Sequence, residues 1–382
     1  MVSVASDGVL AAVLTGPMHI ELQTFPRPAI DADSALLQVE ANGICGTDVH
    51  WRADPTDVPR VIGHEVVGRL VEVGERAAAR WGVAAGDRVA IEAGISCGSC
   101  ADCRAGHGQT CGASRSYGSN ITTAVAPALW GGCAEYMYLA PGTLLTRLPE
   151  DVPADVAAGW LSPLANAVDW VGPLGADVQP AETIVILGPG PQGLAATLVA
   201  KQRGAGTVIL AGLQRDAVRL AAGRTLGADE TVLADGAESV EAAVRRLTGG
   251  AMAHRVLDVS GSTAAATMAP LLLRRRGTVA AASPISAPDD VRLPVSHMVW
   301  NQIRWQGVLS NRPAAAEPAA ALLAANIDRL APLITHRFEL AETSAAIDAV
   351  SAGDGSAVKV VVLPRGGPAI EYEAHPHRSG SR

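Results

Sequence analysis

A chain of 382 residues is too long for one ordinary hydrophobic core and calls for two domains. Apolar residues make up 48% and aromatic residues only 3%, so Ala, Val and Leu must fill the interior. The formal charge of −8, from 30 basic and 38 acidic side chains, opposes a phosphate-tracking surface and argues against a nucleic-acid partner. No apolar run reaches the roughly 18 residues that a membrane span needs. The apolar patch Gly8 to Leu14 has no Lys or Arg before Arg27, so it lacks the basic start of a secretory leader. It reads as a strand, and the chain reads as soluble and cytoplasmic.

Residues 1 to about 160 are dense in Gly and Pro, with short Val-rich runs at Ala35–Glu40, Val66–Val73 and Arg88–Ile91. Their length and punctuation predict strands joined by turns, with little helix. From residue 166 to about 308, apolar runs at Thr183–Leu187, Thr207–Leu210, Arg255–Val259 and Thr278–Ala281 alternate with Ala-rich stretches. That alternation predicts a parallel sheet with crossover helices. A helix-prone segment follows from about 310, then a short helix near Ser344–Val350 and a final strand, Val358–Leu363. Residues 365–382, rich in Gly, Pro, His and Ser, read as a disordered tail.

The strand Thr183–Leu187 runs into Gly188-Pro189-Gly190-Pro191-Gln192-Gly193 and then a helical stretch. In this G-x-G-x-x-G turn the first glycine permits the tight turn. The second lets backbone approach a pyrophosphate, and the third lets helix and strand pack closely. The helix start then offers free N–H groups to phosphates. The next strand ends in Ala211-Gly212-Leu213-Gln214-Arg215, with Gly212 where an NAD site usually carries an acid for the ribose hydroxyls. Glycine leaves room for a 2′-phosphate and Arg215 can pair with it, which favours NADP over NAD.

Cys97, Cys100, Cys103 and Cys111 fall within 15 residues. In a large chain without a leader this spacing points to zinc, in a closed four-thiolate site of structural role. Free buried thiols and a nucleic-acid finger are the alternatives, and no basic helix lies beside the cluster. Two further segments carry ligand types, Cys45-Gly46-Thr47-Asp48-Val49-His50 and Gly63-His64-Glu65.

With these segments, Gly86-Asp87-Arg88-Val89 and Gly131-Gly132-Cys133-Ala134-Glu135-Tyr136, the chain to about residue 364 resembles the zinc-containing alcohol and polyol dehydrogenases of the medium-chain dehydrogenase/reductase superfamily. The resemblance implies an α/β architecture: a GroES-like, mostly-β catalytic domain over residues 1–165 with a zinc lobe at 93–115, a Rossmann doubly wound parallel sheet over 166–309 for the nicotinamide cofactor, and a return to the first domain over 310–364. It implies that Cys45 and His64 bind a catalytic zinc, with Glu65 as third ligand or close neighbour. Asp48 would orient His64, Thr47 would hold the substrate hydroxyl, and His50 would pass its proton to solvent. Lys359 would lie near the cofactor phosphates.

One position departs from the family pattern. Where relatives carry a ligating Cys or Glu, this chain has Ser162, a poor zinc ligand. Zinc held by Cys45, His64 and Glu65 with water or substrate fourth, a weakly held zinc, and a metal-free reductase of activated C=C or C=N bonds all stay open. A non-enzymatic zinc-bearing binding protein is the remaining alternative. Trp51, Leu129 and Trp130 are candidate pocket walls, favouring a hydrophobic secondary alcohol, with Tyr117 and Asn120 as further candidates. Trp300, Ile303, Trp305 and Val308 fit a subunit contact, so a homodimer or homotetramer is expected.

Overall fold

An apolar run buried over residues 11–14 forms the middle of β1 (Gly8–Gly16), and its antiparallel partner β2 (His19–Pro26) is largely exposed. A computed structural model describes residues 8–282, 291–353 and 355–365. The expected tail therefore lies outside the described residues, Arg365 excepted. The main strand of the first domain is β3 (Ala35–Ile44), buried along nearly its whole length. It leads directly into α1 (Gly46–Ala53), with Cys45 as N-cap. After the short β4 (Arg60–Val61) comes β5 (Glu65–Val73), antiparallel to β3 with Gly43 opposite Glu65. Helix α2 (Glu75–Trp81) precedes β6 (Arg88–Ile91), which extends the sheet beyond β5.

The first domain holds more helix than its Gly- and Pro-rich sequence suggests. Helix α3 (Ala154–Val171) runs straight through the expected boundary at residues 165 and 166. Its interior Pro163 removes the N–H that would bond Gly159, yet the helix continues because it is buried on several sides. Trp160, fully buried, donates its indole N–H to Leu330 O at 3.1 Å. One hydrophobic core joins α3 to Ala41 and Val67 of the first sheet and to Leu194 and Leu198 of the second domain.

That second domain alternates strand and helix as its apolar runs predict. Strands β7 (Thr183–Leu187) and β8 (Thr207–Gly212) flank α4 (Pro191–Gln202), and α5 (Ala217–Leu226) leads to β9 (Glu230–Leu233). Then come β10 (Ala253–Asp258), β11 (Leu273–Ala281), α6 (Val295–Asn301) and β12 (Arg304–Gly307). All six strands are parallel, in the order β9-β8-β7-β10-β11-β12. This is the doubly wound Rossmann order, with its ligand crevice outside the carboxyl ends of the strands. The chain then returns through α7 (Ala316–Ala325), β13 (Ile334–Glu339) and α8 (Thr343–Ser351) to β14 (Lys359–Leu363). Strand β14 pairs antiparallel with β3, Val360 opposite Ile44. No helix among the described residues is long and apolar enough to cross a membrane.

Candidate active site and metal centres

Sheet register brings the two ligand segments together. Strand β3 ends one residue before Cys45 and β5 begins at Glu65, so the Gly43–Glu65 pairing sets Cys45 beside His64 and Glu65. Their ligand atoms lie within 4.8 Å of one another. Asp48 braces the pair from behind. Its Oδ2 accepts the Cys45 backbone N–H at 2.9 Å, and its Oδ1 lies 3.2 Å from His64 Nδ1. That leaves His64 Nε2 as the nitrogen to offer a metal. Burial opposes charge on His64, but Asp48 and the Cys45 sulfur outweigh it and hold the imidazole well above its ordinary range. Thr47 Oγ1 is 3.5 Å from Cys45 Sγ, and His50, one turn further along α1, is exposed.

Lys359 stands elsewhere than the resemblance suggests. Its ammonium is buried, 2.5 Å from Glu65 Oε2 and 3.1 Å from Ile44 O, rather than turned to solvent or to the dinucleotide turn. One oxygen of Glu65 is therefore held by Lys359. Ser162 is half-buried on α3. Trp51 lies against His64, with ring centroids 5.3 Å apart, as a wall of the site. The other wall candidates do not join it. Leu129 is fully buried in a core cluster, and Trp130 packs between Tyr117 and Tyr138 with its N–H on Val125 O. The Tyr117 hydroxyl bonds Thr143, and Asn120 Oδ1 closes a turn on Ser116 N. A separate cavity of about 470 Å³ lies between the zinc lobe and the carboxyl ends of β11 and β12, lined by Gln109, Trp170, Ala282 and Ser310 among others.

The glycine turn has the form that a pyrophosphate requires. Gly188 adopts φ +103°, and a Cβ there would lie 2.8 Å from Ser260 Cα. A Cβ on Gly193 would lie 1.9 Å from Gly188 O, whereas one on Gly190 would meet nothing within 4 Å. The outer and inner glycines are thus fixed by packing, and the middle one faces open space where a phosphate fits. Helix α4 begins here at Pro191 and Gln192. Gly212 has a packing reason of its own, since a Cβ there would come 2.6 Å from the Pro189 ring. Arg215 is exposed and makes no ion pair among the described residues. The nearby acids Asp216 and Asp235 accept the Leu213 and Gln214 backbone N–H groups.

In the lobe, the sulfurs of Cys97, Cys100, Cys103 and Cys111 lie within 4.8 Å of one another. Cys97 and Cys103 are 3.9 Å apart, close to the edge of about 3.8 Å expected for a tetrahedron of zinc–sulfur bonds. Hydrogen bonds from Ser99 pull the Cys97 thiol down to about 6. The Cys103 N–H lowers Cys100, but neighbouring sulfurs push it up to about 11. Four thiolates this close need a cation to ionise together.

Comparison with known proteins agrees with this geometry. Residues 31–150 match the family described as alcohol dehydrogenase GroES-like domain, and residues 191–325 match the zinc-binding dehydrogenase family. The chain belongs to the zinc-containing alcohol and polyol dehydrogenases of the medium-chain superfamily. It is 39% identical to a probable alcohol dehydrogenase of Mycobacterium tuberculosis over 83% of this chain and 88% of that one. It is 31% identical to a sorbitol dehydrogenase of Halalkalibacterium halodurans over 91% of this chain and 97% of the relative. The solved alcohol dehydrogenase of Thermotoga maritima has a similar fold, with TM-score 0.84 and 26% identity over 94% of this chain and 99% of that one. The chain is an NAD(P)-dependent oxidoreductase, which sets aside the non-enzymatic alternative.

Proposed function

We propose that this protein is a zinc-dependent alcohol dehydrogenase that moves hydride reversibly between NADP and a small, hydrophobic secondary alcohol or its ketone. The observation that carries the reading is the convergence of Cys45, His64 and Glu65, with Asp48 behind them and the Thr47 hydroxyl at their edge. Cys45, His64 and Glu65 would hold a zinc ion, which would supply a Lewis acid that lowers the pKa of an alcohol. Thr47 would hold the substrate hydroxyl and relay its proton, accepting it as its own hydroxyl proton passes on, and His50 would deliver the relayed proton to solvent. Asp48 fixes the His64 ring, and Lys359 holds Glu65 in place. Trp51 gives the pocket an apolar wall. The glycine turn anchors the cofactor, and Gly212 with the exposed Arg215 supports the preference for a 2′-phosphate.

Assembly follows from the edge of the second sheet. Val295, Val299, Trp300 and Leu309 are 62%, 69%, 81% and 57% exposed beside the edge strand β12. Ile303, Trp305 and Val308 instead pack partly onto the domain's own core. The exposed set supports a homodimer or dimer of dimers. A monomer in light scattering would contradict it.

A second reading is favoured by Ser162 and by the Glu65–Lys359 pair: a reductase of activated C=C or C=N bonds without catalytic metal. Turnover of secondary alcohols against enals, each with NADPH or NADP and with NADH or NAD, separates the two. Alcohol oxidation with NADP is the expected result. Activity confined to enals overturns the leading reading, and tighter binding of NADH overturns the cofactor preference.

A further inference from the structure

Two buried arginines lie close in sequence to the ligand segments, and only one of them has an acid. Arg52, on α1 and 3% exposed, pairs with Asp348 of α8 and donates to Ser344 O at 3.1 Å. It pins α1 to α8, which is a structural task. Arg60, on β4 and 1% exposed, has no ion pair among the described residues. Its Nη1 donates to Thr56 O, and its Nε is buried without a hydrogen-bond partner among those residues. Burial draws the guanidinium below its ordinary range, against the pull of Asp57 and Asp48. A guanidinium keeps its charge even so. A buried charge without a paired acid costs stability, so packing alone would favour an apolar side chain at this position.

What Arg60 does meet is an aromatic ring. Its Cζ lies 5.7 Å from the ring centroid of Trp51, whose ring is in turn 5.3 Å from that of His64. A cation over an indole is attracted by the ring quadrupole, most strongly where water is excluded. Trp51 needs such a contact. Trp81, Trp130, Trp160 and Trp170 each donate the indole N–H to a backbone carbonyl. Trp51 has no such bond among the described residues, so ring contacts are what orient it. The anchor is rigid. Arg60 is paired with Leu14 of β1, and Val61 and Ile62 are buried after it. One short, buried stretch thus carries the cation at one end and His64 at the other.

We propose that Arg60 is a positioning residue that sets substrate specificity: its guanidinium holds the Trp51 ring against His64 and so fixes the width of the pocket beside the cluster. This rests on the reading of the cluster as the site of alcohol oxidation. The unpaired buried cation is then a cost to the fold that the pocket wall explains.

The test compares wild type with Arg60→Met, which removes the charge at similar length, and with Arg60→Lys, which keeps a cation and carries the comparison if the methionine variant does not fold. Trp51→Phe and the double variant Arg60→Met/Trp51→Phe complete a cycle. Each full-length protein is followed by thermal melting and by steady-state oxidation of 2-propanol through 2-octanol. Near-ultraviolet circular dichroism is the third readout, because the band lost in Trp51→Phe reports the fixed indole. Arg60→Met is expected to melt no lower than wild type and to lose most of the Trp51 band. Its KM for 2-propanol is expected to rise about tenfold and that for 2-octanol by less than about twofold, with kcat nearly constant, since a loosened wall costs the small substrate its contacts. Arg60→Lys is expected to keep part of the band and of the chain-length dependence. In the Trp51→Phe background, Arg60→Met is expected to add nothing further. An intact Trp51 band with unchanged chain-length dependence in Arg60→Met overturns the proposal, and so do effects that add independently of Trp51. A lowered melt with both of those readouts unmoved also overturns it, because Arg60 would then serve the fold alone. If wild type turns over no secondary alcohol, the alcohol reading fails, and the band by itself decides whether Arg60 positions Trp51.

Discussion

The two sulfur-bearing clusters are held by opposite means. The lobe draws Cys97, Cys100, Cys103 and Cys111 from one stretch of chain, and its sulfurs are fixed by one another and by nearby backbone N–H groups. The candidate catalytic cluster draws Cys45, His64 and Glu65 from two strand ends, and a ring of other residues fixes them: Asp48, Lys359 and Trp51. A closed set of four thiolates suits a structural site, because no position is left for substrate. Three ligands on a rigid sheet leave a position open, which suits chemistry. On the proposed reading, chemistry would depend on the sheet, whereas the lobe would depend on its metal.

That contrast can be broken most severely at the lobe. Cys100→Ser should cost zinc and fold together, lowering stability by several kcal/mol and exposing the lobe to protease. Thermal melting and limited proteolysis check this, and an unchanged melt would mean that the lobe folds without metal. Cys45→Ala should do the reverse. It should leave the melt nearly unchanged while turnover falls by about a thousandfold, the worth of a Lewis acid contributing several kcal/mol to the transition state.

Smaller effects should come from the residues that brace the cluster. Lys359→Met leaves the Glu65 carboxylate buried beside an apolar chain and should destabilise the protein by about 3–5 kcal/mol, seen in denaturant unfolding. Asp48→Asn should weaken zinc binding and activity by about 10- to 100-fold without unfolding, measured by metal competition. The pH dependence has a definite sign. Burial opposes charge on His64, but Asp48 and the Cys45 sulfur hold its proton more tightly than a free imidazole does. Zinc must displace that proton, so affinity at the catalytic site should rise with pH through the neutral range, with proton release on binding. Calorimetric titration in buffers of different ionisation heat measures both. Affinity falling with pH would contradict the Asp48–His64 assignment.

Features carried by local spacing were legible in the sequence. The glycine turn, the four-cysteine run and the strand-helix alternation each lie within one stretch of chain, so their geometry follows from a few consecutive residues. Features set by distant packing were not. Lys359 meets Glu65 across 294 positions, which only the β14–β3 pairing reveals. Trp130 looks like a pocket wall because it lies near ligand segments in sequence, but the fold turns it into the core. Gly212 reads as room for a phosphate, and the structure adds Pro189 as a packing reason for the same glycine.

The most direct measurement is zinc per chain after mild chelation, in wild type and in Cys45→Ala. About two ions are expected in wild type and about one in the variant, with the lobe still folded. A single ion in wild type that survives Cys45→Ala would show that the lobe alone holds metal, and zinc-dependent alcohol chemistry would be ruled out.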